Sequence, residues 1–191
     1  MSSKESKIKY ILLESFLVVF GVVLAFAINE YREHNEKTET SETALISVVD
    51  ELKNNYQIAQ EAFEYHSYLI DTLSTYYRKD EVPKNKIFLK GFIYRRYFVK
   101  DSYKTALSSN SFYDVDYKML LTFSELYTLF DKYNAQKEKV GSMIYELSFK
   151  EGFQAVSKNY KNLMNVIRNF KFLEQEIIKN LDELKKNRNL W

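Results

Sequence analysis

The sequence predicts an all-α protein: one N-terminal transmembrane helix followed by an elongated antiparallel helical bundle. Three observations carry this. Residues 8–28 form a long apolar run with only two charges, apolar residues in the remainder recur every three or four positions, and the chain-breaking residues are scarce, with one Pro and four Gly in 191 residues. Apolar recurrence at that spacing places side chains on one face of an α-helix.

The apolar run reads IKYILLESFLVVFGVVLAFAI, with Lys9 and Glu14 as its only charges. About 20 apolar residues rising about 1.5 Å each span a hydrocarbon core about 30 Å thick. Residues 8–29 are therefore expected to cross a membrane, with 1–7 a basic tail, 30–41 a polar stalk or linker, and 42–191 the helical bundle domain. The competing reading is a cleaved signal peptide, because Ala25-Phe26-Ala27 fits a small-x-small cleavage site. The length of the run and the charge at Glu14 favour the anchor. Lys4, Lys7, Lys9 and the amino terminus precede the run, against Arg32 and Lys37 soon after it. Counting basic residues favours an extracytoplasmic C-terminal domain, with a cytoplasmic domain the alternative.

A carboxylate inside hydrocarbon is costly and faces water, a partner or a neighbouring helix. Glu14 lies only about 9 Å into the helix, so pairing with Lys7 or Lys9 near the interface is one reading. The other comes from spacing. Glu14, Val18, Gly21, Ala25 and Ile28 or Asn29 share one face, and Gly21-x-x-x-Ala25 is a small-xxx-small pattern that lets helix backbones approach. That face is expected to be a homo-oligomeric seam, with a ring of Glu14 carboxylates able to select cations.

Glu14-Ser-Phe-Leu-Val-Val-Phe-Gly21-Val-Val-Leu-Ala25-Phe-Ala-Ile28-Asn29-Glu-Tyr31-Arg-Glu33 resembles the N-terminal signature E-x-x-L-V-V-x-G-x-x-x-A-x-x-I-N-x-W-x-E of a large family of small, uncharacterised bacterial single-pass membrane proteins. Tyr31 stands where that signature has Trp. The stretch Tyr103-Lys-Thr-Ala-Leu-Ser108-Ser109-Asn110 is similar to the family's Y-x-x-L-x-S-S-G segment, with Asn110 in place of Gly. Asn also enters left-handed turns. The resemblance implies a membrane-anchored helical protein of the bacterial inner (cytoplasmic) membrane, and no known activity.

Past the apolar run, residues 29–41 carry many charges and end in a Thr/Ser-rich TETSET stretch, where the helix either continues or breaks. From about Glu42 to Arg78 the stripe Leu45, Val48, Leu52, Ala59, Ala62, Phe63, Leu69, Ile70, Leu73 and Tyr77 marks a long amphipathic helix. His66 lies on or near it, and a lone histidine without a second ligand is expected to be packed or hydrogen-bonded rather than metal-binding. Arg78 to Pro83 reads as a loop, with Pro83 suited to opening a helix.

Between Arg78 and Lys104 nine basic residues face three acidic ones, a local excess larger than the net charge of +2 of the whole chain. Phe88, Phe92, Tyr94, Tyr97 and Phe98 are interleaved with them. The plain reading is a short helix with its aromatics in the core and its lysines solvated. Contact with an anionic membrane surface or with an anionic small molecule such as a nucleotide, through Lys86, Lys90, Arg95, Arg96 and Lys100, is the sharper one. Arg95 and Arg96 are the best phosphate contacts, because a guanidinium binds bidentately. The small net charge argues against nucleic acid as a partner.

Ser111-x-x-Asp114 suggests a capping box for a helix running through Val115, Met119, Phe123, Leu126, Phe130, Tyr133, Val140, Ile144 and Leu147. Ser148-x-x-Glu151 suggests a reset before a last helix bearing Phe153, Val156, Tyr160, Leu163, Ile167, Phe170, Ile177, Leu181 and Leu184. The expected bundle is three long helices and a shorter one.

Chemistry is sparsely supplied. Zero cysteines exclude disulfides and thiol catalysis, only His34 and His66 can serve as imidazoles, and no glycine-rich phosphate loop, nucleophile elbow or Glu-x-x-His pair occurs. No enzyme, cofactor or metal site is expected. Two functions remain: a homo-oligomeric anchor presenting its bundle to a protein partner, plausibly one encoded nearby, or a ligand-controlled membrane effector whose helices line a pore at Glu14.

Overall fold

The computed structural model describes residues 2–88 and 91–188, and their side chains except at 2–12, 85–86, 153 and 187–188. It is all-α. Helix α1 spans Ser2–Lys79, α2 Asp101–Ser108, α3 Tyr117–Glu151, α4 Phe153–Lys158 and α5 Tyr160–Arg188, with one turn of 3-10 helix at Asn85–Phe88.

The apolar run and the first bundle helix are one helix. No residue from 2 to 79 removes a backbone donor or favours another conformation strongly enough to end it, and the TETSET stretch stays helical. On the exposed stretch before the bundle, Lys37 pairs with Glu33 and Arg32 with Glu36, each four residues apart on one face. The helix closes at Asp80, which takes φ 52°. There the N–H of Glu81 donates to Tyr76 O and that of Asp80 to Tyr77 O, the paired bonds of a Schellman cap. Asn110 closes α2 in the same way: φ is 53°, Ser111 N–H donates to Ala106 O and Asn110 N–H to Leu107 O. The left-handed turn expected at Asn110 is therefore present.

Four segments run up and down. α1 rises, residues 91–114 descend along it, α3 rises, and α4 with α5 descend. α5 is antiparallel to α1, with Tyr56 bonded to Asp182, His66 to Glu174 and Ser74 to Met164. Each long helix buries a seam whose spacing alternates three and four. On α1 it is Val48, Leu52, Asn55, Ala59, Ala62, His66, Leu69 and Leu73, all fully buried, and on α5 it runs from Tyr160 through Phe170, Glu174 and Ile177 to Leu184. On α3, Phe123, Leu126, Phe130, Tyr133 and Lys137 continue into Val140, Ile144 and Leu147. A strict seven-residue repeat of this kind is coiled-coil packing.

Five local expectations differ from the structure. Residues 91–100 form no helix. A single 3-10 turn precedes an extended strap, and Pro83 lies in the loop rather than opening a helix. α3 starts at Tyr117, not after Ser111: the Ser111 hydroxyl pairs with Ser109, and the Asp114 carboxylate accepts from Thr38. The reset before the last helix falls at Gly152, at φ 78° and ψ 163°, a conformation that glycine adopts readily, and not at Ser148. A second break at Asn159 separates α4 from α5, so the bundle has two short helices rather than one.

Candidate functional site

Two places carry residues that packing alone does not require: the apolar arm at the start of α1, and a polar layer inside the bundle. On the arm, every side chain from Leu13 to Lys37 is exposed. Its 18-residue apolar window has a mean hydropathy of 1.8, so this helix is long and apolar enough to cross a membrane. Glu14, Val18, Gly21, Ala25 and Asn29 lie along one side with no packing partner inside the chain, and a Cβ placed on Gly21 would meet nothing within 4 Å. Lys7 and Lys9, the candidate partners of Glu14, have side chains outside the described set.

The polar layer is built from seam residues of all three long helices. His66 and Glu174 are completely buried, and His66 Nδ1 donates to Glu174 Oε1 at 2.7 Å. The tautomer follows from the other ring nitrogen, because Nε2 accepts the backbone N–H of Tyr94 at 3.1 Å. His66 is thus neutral, with its proton on Nδ1. Tyr133 donates its hydroxyl to the same Glu174 oxygen at 2.7 Å, and burial followed by the nearby carboxylate pushes its pKa far up. Lys137, one turn further along α3, is 6% exposed. Its ammonium donates to Arg96 O and lies 4.1 Å from the centre of the Tyr97 ring. Burial lowers its pKa to about 8, against the opposing pull of Glu174.

This layer holds the strap. A strap without helix or sheet leaves backbone donors and acceptors that must be satisfied another way. Asn55 donates to Val99 O and accepts from Val99 N–H, while Asn134 does the same for Phe98. Tyr65 donates to Gly91 O at 2.5 Å. Glu51 accepts the N–H groups of Ser102 and Tyr103 at the start of α2, together with the Tyr127 hydroxyl. Carboxylate at a helix N-terminus is favoured by the exposed donors there. Asn55, His66 and Asn134 are amide and imidazole side chains doing what a neighbouring strand would do.

The basic residues of the strap are distributed along it. Arg96 bonds Asn54 and pairs with Glu61, which also accepts from Tyr94, and Lys100 pairs with Asp131. Tyr94 and then Gln57, with Arg96 beside them, hold the Glu61 carboxyl below its usual range. Arg95 is exposed, Lys90 and the Lys86 side chain lie outside the described residues, and the three best-formed pockets among the described residues are lined by none of these cations. Arg96 meets α1 at Asn54 and Glu61, 26 and 33 residues beyond Ile28, which is about 40–50 Å along the helix.

Glu174, Lys137 and Asn134 are functional to the architecture and escape a reading by apolar spacing. Their signal is polarity at a seam position, legible only once the register of all three seams is laid out. No group of three metal-ligating side chains occurs among the described residues. No family model, curated protein or solved structure matches the chain.

Proposed function

We propose that this chain is a single-pass membrane anchor that self-associates and presents its helical bundle as a scaffold to a protein partner. One observation carries the reading: α1 runs unbroken from an arm exposed on all sides into a seam buried on one side, so the bundle is rigidly tied to a helix suited to lipid. The open face at Gly21 and Ala25 supports a homo-oligomeric seam, since small residues allow close backbone contact. His66, Tyr133 and Glu174 are bonded to one another and Lys137 to the strap, which supports a structural rather than a catalytic role for this layer.

The basic residue count on either side of the arm favours an extracytoplasmic bundle, and the resemblance of the arm to the bacterial single-pass family supports the bacterial inner membrane. With α1 upright, Arg96 stands too far from the bilayer to touch it. The second reading, a ligand-controlled pore, draws on the same unbroken helix, which would carry any movement of the bundle to Glu14. An anionic ligand at Arg96 would have to compete with Glu61.

Gly21→Leu separates association from anchoring. The oligomer seen by crosslinking in membranes should be lost while the variant still floats with lipid; an unchanged oligomer sinks the seam. A reporter fused after Trp191 should be active outside the cytoplasm, and activity inside supports the pore reading. Charge reversal at Arg95 and Arg96 then abolishes ligand-dependent conductance only if that reading holds.

A further inference from the structure

Far from the arm, the end of α3 carries two features on opposite faces. Val140, Ile144 and Leu147 face Val156, Leu163 and Val166 across an open, mainly apolar groove of about 490 Å³. On the other side, Tyr145 and Phe149, one turn apart, stack with ring centres 6.2 Å apart and point outward, 71% and 82% exposed. At 100° per residue the aromatic pair lies about 150° around α3 from the centre of the groove-lining residues. Gly141, one turn before Tyr145, adds open space, with nothing within 4 Å of a Cβ placed there. Large exposed aromatics on one face and an unfilled apolar groove on the other mark two interaction surfaces.

We infer that the occupant of this groove is the Tyr145–Phe149 pair of a second copy of this chain. A copy cannot fill its own groove, because its aromatics lie on the far side of the same helix. Copies anchored in one membrane are parallel and level, so a neighbour displaced sideways brings its aromatics to the groove at the same height. Lipid is excluded by distance. The groove end of α5 bonds α1 at Ser74, 46 residues past Ile28, which is about 70 Å along the helix. Unlike surfaces meeting head to tail generate a ring when the rotation closes. The oligomer is therefore clasped twice, at Gly21 within the membrane and at Phe149 at the far rim.

This inference rests on the self-associating anchor proposed above, and the cysteine-free chain makes both testable. Phe149→Cys and Asn162→Cys, at an exposed aromatic and an exposed groove-rim position, are placed on separately tagged full-length chains in the same membrane and treated with a short bis-maleimide. The mixture should give a dimer bearing both tags, and either chain alone should give none. Self-pairing of Phe149→Cys, or no product while Ala25→Cys chains still pair within the membrane, overturns the rim contact and leaves the anchor standing. Loss of both products overturns both.

Discussion

The two halves of α1 are the same helix in two solvents. From Leu13 to Lys37 no side chain is buried, and as far as Ile28 apolar residues lie on every face, whereas from Val48 to Leu73 one seam is fully buried and the opposite face is mainly polar. A helix that is apolar all round has no preferred side toward a protein core, and one with a stripe does. The comparison shows that the period of the pattern, not the amount of apolar surface, decides whether a helix folds against its own chain or waits for lipid.

The largest expected effect breaks that contrast on the arm. Arg at both Val19 and Val22 opposes insertion by about 2.5–3.5 kcal/mol each near the helix centre. Flotation with membranes should be abolished, while the melting of the bundle stays as it was. Flotation that persists would falsify the anchor.

Next comes the polar layer. His66→Leu leaves Glu174 without its imidazole donor and the Tyr94 N–H without its acceptor in a fully buried site, and should cost the bundle about 1–3 kcal/mol for each in denaturant unfolding. Adding Glu174→Leu to it should restore part of the loss, because the buried carboxyl left without its donor is removed, while Tyr94 N–H and the Tyr133 hydroxyl stay without an acceptor. Glu14→Leu, the same chemistry on the exposed arm, should leave bundle unfolding unchanged. A double variant as weak as the single one would show that the layer stabilises by more than pairing.

Asn134→Ala strands both polar backbone groups of Phe98 and should cost about 1–3 kcal/mol. Amide exchange is the sharper readout: protection should fall at Phe98 and its neighbours in the strap before it falls along α5. Uniform loss of protection would mean that strap and bundle open as one unit.

The smallest effect is on pH. The pKa of Lys137 is lowered to about 8 in the folded bundle from an ordinary value of 10.5. Between those values the unfolded chain holds a proton that the folded one has released, so stability rises with pH across roughly 8–10, by about 2 kcal/mol. Lys137→Met should flatten that slope, and a slope unchanged in the variant places its origin elsewhere.

Where the sequence is periodic, it can be read. The loop after Arg78, the seams of α3 and α5 and the turn at Asn110 follow from local spacing and local backbone preference. His66 was legible as a bonded core histidine, but its partner was not, since Glu174 is 108 residues away. The strap was misread as a helix for the same reason: Asn55 and Asn134 replace its hydrogen bonds from two other helices, and no window of residues 84–100 contains that information. The apparent capping residues Ser111 and Ser148 failed because Asp114 bonds to α1 and Gly152 supplies a stronger break.

What this sequence determines by itself is a matter of length and period: an apolar arm long enough for a bilayer, and heptad seams that must find partners. Tertiary structure alone decided where the polar seam residues meet, how the non-helical strap is satisfied, and which exposed surfaces are left at the far end of α3. Periodicity is a property of one helix, whereas hydrogen-bond satisfaction and surface complementarity belong to several segments at once.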